Sequence, residues 1–411
     1  MKNLKLLFIC STELQLFNTL NLKLHLFPND PSDIVIQFLK KDTVDFYNRI
    51  RESGIFENVC YRLPDVFGLH KYARCVREGD FSHSFADAAQ NSVKEFLTGF
   101  SSRFGHDYID NIRERVYNID SLDFSAYQAV FAGGTNDIVT NIIRHMHINY
   151  PECKINIYEE GVGCYINDVL GDHCGDIPRD NIYLYEPTMP VYNHPSLQPI
   201  PKVKREDASF LKIANRIFSY VPRTDKIEGK IVYLDDPSEP LPNYLKCSNL
   251  LNHTLFAVPY RRHMRDHAIY LRQLAIYNLL SENAGACKIL VKLHPRNERP
   301  DVFRDYQGPN TEIFENISVP WELFCCTCEM RNNVFVTMGS AAISANSLVV
   351  EGRDENILII CRQIDNESAR HDKYHEFHDK LRRKGNSRAV YMPNTKQEYV
   401  SILGDVLGRA G

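Results

Sequence analysis

Short apolar runs that alternate with helical patterns are the feature of this sequence that most constrains its fold. Residues 4–10 form one such run, and Thr12 and Gln15 follow it at the spacing of a helix capping box. A second strand pattern at 33–39 is followed by a helical pattern that ends at Gly54. Alternation of this kind predicts parallel sheets that are covered by helices on both faces.

The alternation continues along the chain and divides it into two halves. Further strands are predicted at 58–63, 126–132, 154–158, 181–186, 230–234, 289–291, 312–315, 333–338, 356–361 and 388–392. A proline-rich stretch at 187–205 is predicted to be the linker between the halves. We therefore predict an α/β fold with two Rossmann-like parallel-sheet domains, at 1–190 and 205–394. The last segment, 395–411, is expected to be a helix that packs back on the N-terminal domain.

Composition excludes several classes of protein. The chain has 411 residues, of which 44% are hydrophobic and 24% charged, with a formal net charge of -4, so a dedicated nucleic-acid binder is not expected. Its twelve cysteines include one CxxC, at Cys325 to Cys328, without a second ligand pair at zinc spacing. Reduced thiols in a cytoplasmic protein are therefore expected, and neither a secretory signal nor a membrane-length apolar run is found.

A histidine follows the predicted strand at 289–291. Pro295 ends that strand after His294, and Lys292 and Arg296 make its surroundings cationic. Ligands of open α/β sheets bind at the carboxyl ends of strands, so this imidazole is a candidate functional group. A purely structural His-Pro turn explains the pair equally well when it is taken alone.

An acidic pair follows the predicted strand at 154–158. Adjacent carboxylates repel each other, and partial burial of Glu159 and Glu160 would raise the pKa of one of them. A carboxylate with a raised pKa can act as a general base near neutral pH. Gly161 would let a substrate approach the backbone closely. The competing interpretation is a solvated acidic turn.

Two further features lie in the second half. Gly339, Ser340 and Ala341 follow a predicted strand, and a turn of small residues there exposes N–H groups and a hydroxyl to an anion. Tight strand-to-helix turns use small residues in any case. Glu322, in the first turn of a helix that begins near Pro320, could accept hydrogen bonds from sugar hydroxyls, although its position alone favours a role at the helix dipole.

The combination of these features is more specific than any one of them. Two Rossmann-like domains that face each other across a cleft would bring the acidic pair, the His-Pro pair and the Gly-Ser turn together. Such a site suits transfer of a sugar from a nucleotide donor, with a base on the acceptor side and anion-binding groups on the leaving-group side. We find no obvious Asp-x-Asp metal motif, which favours a metal-free mechanism and a nucleoside monophosphate leaving group.

The order of these motifs resembles that of the bacterial GT-B sialyltransferases. This group includes the lipooligosaccharide sialyltransferases of glycosyltransferase family 52 and the related capsular polysialyltransferases. The opening from Phe8 to Gln15 and the segment from Val319 to Glu322 are also similar to segments of these enzymes, so the resemblance spans most of the chain. It implies a GT-B fold, CMP-sialic acid as donor, a galactose-type glycan hydroxyl as acceptor, inversion, and no metal or other cofactor.

The resemblance also implies roles for individual residues. Glu160 would be the general base and Glu159 would support it, while His294 would contact the CMP phosphate and act as general acid. Ser340 would bind the phosphate or the sialic acid carboxylate, and Glu322 would hold the ribose. The remaining implied residues are Pro295, Lys292, Gly339 and Ala341 on the donor side, and Gly161, Thr12 and Gln15 on the acceptor side. A single serine followed by alanines favours the family 52 type.

Two other functions remain open from sequence alone. One is a different transferase with a CMP- or CDP-activated donor, such as a Kdo or polyol-phosphate transferase. The other is a module that binds a nucleotide sugar or glycan without turnover, which the presence of both Glu160 and His294 argues against. Peripheral contact with the inner face of the cytoplasmic membrane and formation of a homodimer are compatible with the sequence but not indicated by it.

Overall fold

The computed structural model describes residues 5–36, 43–61, 122–134, 137–167, 177–194, 196–223, 226–236, 257–294, 305–308, 310–314, 319–352, 354–364, 366, 372–385 and 387–408. The chain forms two compact units. Unit 1 is Met1–Pro201 with Ala208–Tyr220, and unit 2 is Lys202–Asp207 with Val221–Gly411. Residues 65–120, like Pro295 and Arg296, lie outside the described residues.

Unit 1 is built on one parallel sheet. Its strands are β1 (Lys5–Cys10), β2 (Ser32–Ile36), β3 (Asn58–Tyr61), β4 (Tyr127–Gly133), β5 (Lys154–Tyr158), β6 (Asn181–Leu184) and β7 (Leu197–Pro199). Its described helices are α1 (Glu13–His25), α2 (Thr43–Ser53), α3 (Asp137–Asn149), α4 (Gly163–Ile166) and α5 (Ala208–Ile217). The strand order is β3-β2-β1-β4-β5-β6-β7, and all the pairs are parallel.

Unit 2 repeats this plan. Its strands are β8 (Ile227–Glu228), β9 (Ile231–Leu234), β10 (Ile289–Lys292), β11 (Thr311–Ile313), β12 (Met330–Arg331), β13 (Val334–Thr337), β14 (Asp354–Ile360) and β15 (Ser387–Tyr391). Its described helices are α6 (Ala257–Asn283), α7 (Trp321–Thr327), α8 (Ala345–Leu348), α9 (Lys373–Lys384) and α10 (Lys396–Gly408). The main sheet has the order β11-β10-β9-β13-β14-β15, and β8 pairs separately with β12.

Both main sheets share the Rossmann topology. When the strands of each sheet are numbered along the chain, both orders read 3-2-1-4-5-6, and unit 1 carries one additional edge strand. The prediction of two Rossmann-like parallel-sheet domains is therefore confirmed. In this topology the order reverses between β1 and β4 in unit 1 and between β9 and β13 in unit 2. Ligands of such sheets bind at the carboxyl ends of the strands at these two switch points.

The helix α1 begins where the sequence predicts, and its buried face is partly polar. Thr12 caps it by accepting a hydrogen bond from the Gln15 N–H. Leu16 and Leu20 are fully buried, as the predicted apolar stripe requires. Asn18 and Thr19 are also fully buried, and each donates a hydrogen bond towards the segment that ends β5. This helix therefore connects the sheet to the acidic pair.

The chain passes from unit 1 to unit 2 between Pro201 and Lys202, within the proline-rich stretch at 187–205 that is predicted to be the linker, but most of that stretch is part of unit 1. It contains β7, which adds to β6, and the Ile200 N–H donates to the Leu184 carbonyl at 2.8 Å. Proline is tolerated here because β7 is an edge strand. Helix α5 also belongs to unit 1, since Phe210 packs edge-on against Phe17 at 5.5 Å. The predicted domain boundaries at 190 and 205 therefore differ from the observed division.

The C-terminal helix belongs to unit 2, not to the N-terminal domain as predicted. Tyr399, Leu403 and Val406 of α10 are buried in one core with residues of α6 and of the second sheet. Their spacing of four and three residues places them on one helical face. That face matches the apolar side of α6, which includes Tyr277 and Leu280. Packing inside unit 2 thus satisfies the apolar stripe of α10.

Two further observations concern the described residues as a set. Among them, no helix combines the length and the apolar sequence that crossing a membrane requires. The described cysteines, Cys325, Cys326 and Cys328 among them, are free thiols, and most of them are buried. The thiols of the predicted CxxC therefore contribute to the apolar core around α7.

Candidate functional site

Glu160 lies at the carboxyl end of β5, beside the switch point of unit 1. Its carboxylate Oε2 accepts a hydrogen bond of 2.7 Å from Nε2 of Gln15, in the first turn of α1. Gln15 is itself fixed, because its Oε1 accepts from the Ser11 N–H at 2.6 Å. Of the predicted acceptor-side residues, Gln15 thus contacts the predicted base, whereas Thr12 caps the helix that carries Gln15. Gln15 orients one oxygen of this half-buried carboxylate.

Two glycines at the end of β4 make room for this arrangement. A Cβ on Gly134 would lie 1.9 Å from Oε2 of Glu160, and the residue has a φ of +78°. A Cβ on Gly133 would lie 2.7 Å from Cγ of Gln15. Only glycine fits at Gly134, both for its backbone conformation and for the carboxylate above it. The sequence indicates a turn here, but it does not reveal that Glu160 packs over the turn.

Glu159 points into the interior of unit 1 and not towards Glu160. Its side chain is 5% exposed, and Oε2 accepts hydrogen bonds from the Tyr165 hydroxyl at 2.5 Å and the Tyr185 N–H at 2.9 Å. Its backbone carbonyl accepts from Asn18 at 2.6 Å. Successive residues of an extended segment face opposite sides, so the two carboxylates of the pair separate. Glu159 can therefore support Glu160 by anchoring the backbone that both residues share.

Gly161 continues this segment with a φ of +124°. That conformation is essentially restricted to glycine, so the position has a backbone requirement of its own. The Cys164 N–H donates to the Gly161 carbonyl at 3.1 Å, where the chain turns into α4. The closeness of a glycan acceptor to Gly161 remains a prediction.

In unit 2, His294 follows β10 and lies next to an acidic pair that ends β9. The His294 N–H donates to Oδ2 of Asp235 at 3.3 Å, and the Tyr306 hydroxyl donates to Oδ1 of the same carboxylate at 2.9 Å. Asp235 is 2% exposed, whereas His294 is half-buried. Asp235 thus fixes the backbone at the position where the predicted general acid leaves the sheet.

The neighbouring carboxylate holds the Gly-Ser turn. Asp236 Oδ2 accepts from the Gly339 N–H at 2.7 Å. Thr337, the last residue of β13, accepts at its hydroxyl from the N–H groups of Gly339 and Ser340, and donates to the Leu234 carbonyl at 2.8 Å. Gly339 and Ser340 are therefore fixed at the switch point of the second sheet, next to the end of β9.

Ser340 and Ala341 occupy the start of the next helical segment. Ser340 precedes a 3-10 helix at Ala341–Ser344, and the Ile343 N–H donates to its carbonyl at 3.2 Å. Within the residues that the structure describes, no group makes a hydrogen bond with Ser340 Oγ. The hydroxyl at the predicted anion turn is thus uncommitted there. Ala341 contributes backbone only, as a small residue next to the turn.

Asp236 is the clearest functional candidate that the sequence analysis did not select. It is buried against the second sheet, and Gln273 of α6 pairs with both its backbone N–H and its carbonyl. Burial, and then repulsion by Asp235, raise the pKa of Asp236 to about 7. The sequence offers one sign of this role, because Asp235 and Asp236 directly follow the strand predicted at 230–234. Their proximity to Gly339 depends on the strand order, which the sequence does not reveal.

Lys292 and Glu322 lie close together, and both side chains are buried, whereas the sequence suggests that they face a ligand. Lys292 is 5% exposed, and its Nζ donates to the Leu293 carbonyl and lies 5.7 Å from the Phe314 ring centroid. The expected cationic flank of His294 therefore points into the core at this position. Burial raises the pKa of the Glu322 carboxyl, and the nearby charge of Lys292 opposes that shift. Glu322 lies in the first turn of α7, as predicted, with its side chain buried.

Within the described part of the chain, no group of three or more His, Cys, Asp and Glu side chains is arranged to hold a metal ion.

Comparison with known proteins finds no matching family model and no matching curated protein. Solved structures to which the chain is similar, each at low sequence identity, include the following three. MnaA of S. aureus, solved with UDP, shows 9% identity and a TM-score of 0.46, and covers 99% of this chain and 89% of that one. The second is a UDP-glucosyltransferase from Polygonum tinctorium capable of glucosylating indoxyl, in complex with 3,4-dichloroaniline. Its sequence identity is 8% and its TM-score 0.43, and the match covers 98% of this chain and 90% of that one. The third is a UDP-N-acetylglucosamine 2-epimerase. Its sequence identity is 8% and its TM-score 0.44, and the match covers 99% of this chain and 91% of that one. Likeness at this level identifies no substrate and no activity.

Proposed function

We propose that this chain is a glycosyltransferase of the GT-B type that transfers sialic acid from CMP-sialic acid to a galactose-type hydroxyl, with inversion and without a metal ion. One observation carries the proposal. The base candidate Glu160 lies beside the switch point of one Rossmann-like sheet, and the anion-binding turn at Gly339 and Ser340 lies at the switch point of the other. The specific donor comes from the resemblance to family 52 sialyltransferases.

Glu160 is assigned to the acceptor. Its carboxylate takes the proton of the acceptor hydroxyl while the hydroxyl oxygen attacks the anomeric carbon of the sialic acid. The bond from that carbon to the CMP phosphate breaks on the opposite side, which inverts the anomeric centre. The Gln15 amide holds one Glu160 oxygen at 2.7 Å, and Gly134 leaves the space that this carboxylate occupies. A fixed base of this kind lowers the entropic cost of reaching the transition state.

The second unit is assigned to the donor. His294 gives a proton to the departing CMP phosphate, so the proton lost by the acceptor is balanced by one gained by the leaving group. Ser340 Oγ and the turn it belongs to bind the phosphate or the sialic acid carboxylate, and Glu322 holds the ribose. Negative charge builds up on the phosphate as the bond breaks, so donors that are fixed beforehand stabilise the transition state most.

The test is acceptor-dependent release of CMP from CMP-Neu5Ac, in EDTA, with lactose or N-acetyllactosamine. Glu160→Gln and His294→Ala should each lower turnover by about 100-fold or more, since each removes an acid–base partner. Glu152→Gln is a matched control, because Glu152 is an exposed carboxylate of the same unit and should leave turnover unchanged.

The same assay separates the competing functions. CMP-Kdo, CDP-glycerol and UDP-sugars are offered in place of CMP-Neu5Ac, the last because UDP or UDP-linked sugars are named for the structural neighbours. Turnover of one of these donors alone would contradict sialic acid transfer but leave a nucleotide-dependent transferase. CMP binding without turnover of any donor, across a panel of acceptors, would support a binding module instead.

A further inference from the structure

Arg362, a cationic residue near the Gly339–Ser340 turn, has no role in the mechanism above. Arg362 follows β14, the strand next to β13, and a Cβ on Gly339 would lie 3.8 Å from its Cδ. The same Cβ position lies 3.9 Å from Asp236 Oδ2. The stem of Arg362, Asp236 and the turn that presents Ser340 are therefore neighbours at one edge of the second sheet.

The guanidinium of Arg362 is held in place on two sides. Its Nη2 donates to Asp372 Oδ2 at 2.5 Å, and its Cζ lies 4.2 Å from the Tyr374 ring centroid. Arg272 of α6 donates to the carbonyls of Arg362 and Ile364, at 3.4 and 2.9 Å, and so fixes the loop that carries it. The position is thus preorganised rather than that of a free surface side chain.

This guanidinium nevertheless has hydrogen-bonding capacity left. Within the described residues, its Nε is buried and has no hydrogen-bond partner. The side chain as a whole is 32% exposed, so a ligand can reach it. A buried donor without an acceptor is unfavourable, and an anion that supplied the acceptor would remove that cost.

The charges around Arg362 are compatible with an added anion. The neighbouring carboxylates are those of Asp235, Asp236 and Asp372, and Asp236 is half-protonated near neutral pH because burial and Asp235 raise its pKa to about 7. Burial, and then the charge of Arg362, lower the pKa of His378 to about 4, so that imidazole is neutral. Arg272 and Arg362 are therefore the cations of this cluster, and Arg362 is the one whose stem lies beside Gly339. An anion bound there would favour protonation of Asp236.

We propose that Arg362 is a donor-binding residue whose guanidinium contacts the nucleotide phosphate beside the Gly339–Ser340 turn. This inference rests on the proposed function for the identity of the ligand. It assigns to Arg362 the cationic role that was expected of Lys292, which is buried near Glu322. The fork geometry of arginine suits a phosphate oxygen pair better than the point charge of a lysine does.

The experiment compares CMP with cytidine, which lacks the phosphate, by isothermal titration calorimetry. The variants are Arg362→Met, which keeps the stem, and Arg362→Lys, which keeps the charge but loses the fork. Arg362→Met should weaken CMP binding by about 10-fold or more and leave cytidine binding unchanged, since a charge-assisted hydrogen bond is lost. Arg362→Lys should weaken CMP binding by a smaller factor, and it also serves if the methionine variant does not fold.

A matched control is Arg382→Met on α9, since Arg382 is also paired with an aspartate, Asp379, but is mostly exposed. It should bind CMP as the wild type does. Unchanged CMP affinity in Arg362→Met, or an equal loss for CMP and cytidine, would overturn the inference, because the residue would then be structural. UMP binding that depends on Arg362 in place of CMP binding would uphold the inference and overturn the cytidine donor. If the wild type binds no nucleotide, both proposals fail.

Discussion

At the scale of single residues, the position of Glu160 depends on a glycine that follows the preceding strand, β4. Gly134 has a φ of +78°, and any side chain there would occupy the place of the Glu160 carboxylate. Gly54 provides a comparison, with a φ of +67° and nothing within 4 Å of its Cβ position. The two glycines share the backbone requirement, and only one of them adjoins the predicted base.

Gly134→Ala should therefore lower turnover by about 10- to 100-fold through displacement of Glu160, while CMP binding is kept. Gly54→Ala should lower the free energy of unfolding by about 1–2 kcal/mol, because alanine is strained in the left-handed backbone conformation, and it should keep full turnover. Steady-state rates and thermal unfolding of both variants check this. Equal turnover in the two variants would show that Glu160 is not placed by Gly134.

Asp236 gives a pH dependence whose sign follows from its raised pKa. The folded state holds this proton up to a pKa of about 7, against 3.8 for the ordinary group, so stability is highest at low pH and is lost as pH rises through 7. Asp236→Asn keeps an oxygen that can accept from the Gly339 N–H and removes the charge. Relative to the wild type, it should gain on the order of 2–4 kcal/mol between pH 5 and pH 8.

Fluorescence of the single tryptophan measures this change locally. Trp321 is buried in unit 2 and packs on Phe324 and Phe335, so its emission reports unfolding of that unit in urea. The midpoint of the wild type should fall from pH 5 to pH 8 more steeply than that of Asp236→Asn. Parallel pH profiles would mean that Asp236 does not hold a proton in the folded state.

Sequence reasoning locates candidate residues at strand ends, but it does not show which groups those residues contact. Glu160, His294 and Ser340 were selected because strand ends are readable from apolar runs and prolines. Glu159 was selected with Glu160 as one pair, but the alternation of an extended segment sends its side chain to Tyr165 instead. Asp236 and Arg362 were missed because their significance comes from neighbouring strands that are far apart in the sequence.

At the scale of elements, the sequence predicts where α1 and α10 begin, but it does not show to which unit α5 and α10 belong. Caps at Thr12 and Thr395 depend on residues three positions away, so local sequence is sufficient. The unit to which α5 or α10 belongs depends on which sheet or helix offers an apolar face that the helix can cover. That property belongs to the assembled sheets and cannot be predicted from the local sequence.

The assignment of α10 to unit 2 can be tested with two adjacent positions. Leu403 is fully buried in the unit 2 core, so Leu403→Ala should lower the stability reported by Trp321 by about 2–5 kcal/mol. Gly404, next to it, has nothing within 4 Å of its Cβ position, so Gly404→Ala should raise stability by about 0.5–1 kcal/mol. A Trp321 unfolding midpoint that Leu403→Ala leaves unmoved would contradict this packing.

At the scale of the whole molecule, the two halves share one sheet topology. Each half places its candidate groups near the crevice where the strand order reverses, which explains why the informative residues of a 411-residue chain follow so few strands. The sequence predicts this architecture because alternation of strands and helices leaves few other topologies. It cannot supply the strand order, which only the assembled sheet defines.

The most direct test of the central proposal is a proton NMR time course of wild-type protein with CMP-Neu5Ac and lactose in EDTA. The proposed mechanism predicts that CMP appears together with a sialylated lactose whose anomeric configuration is opposite to that of the donor. A product with retained configuration would contradict direct attack assisted by Glu160. An unchanged donor, under conditions in which another activated sugar is consumed, would contradict sialic acid transfer itself.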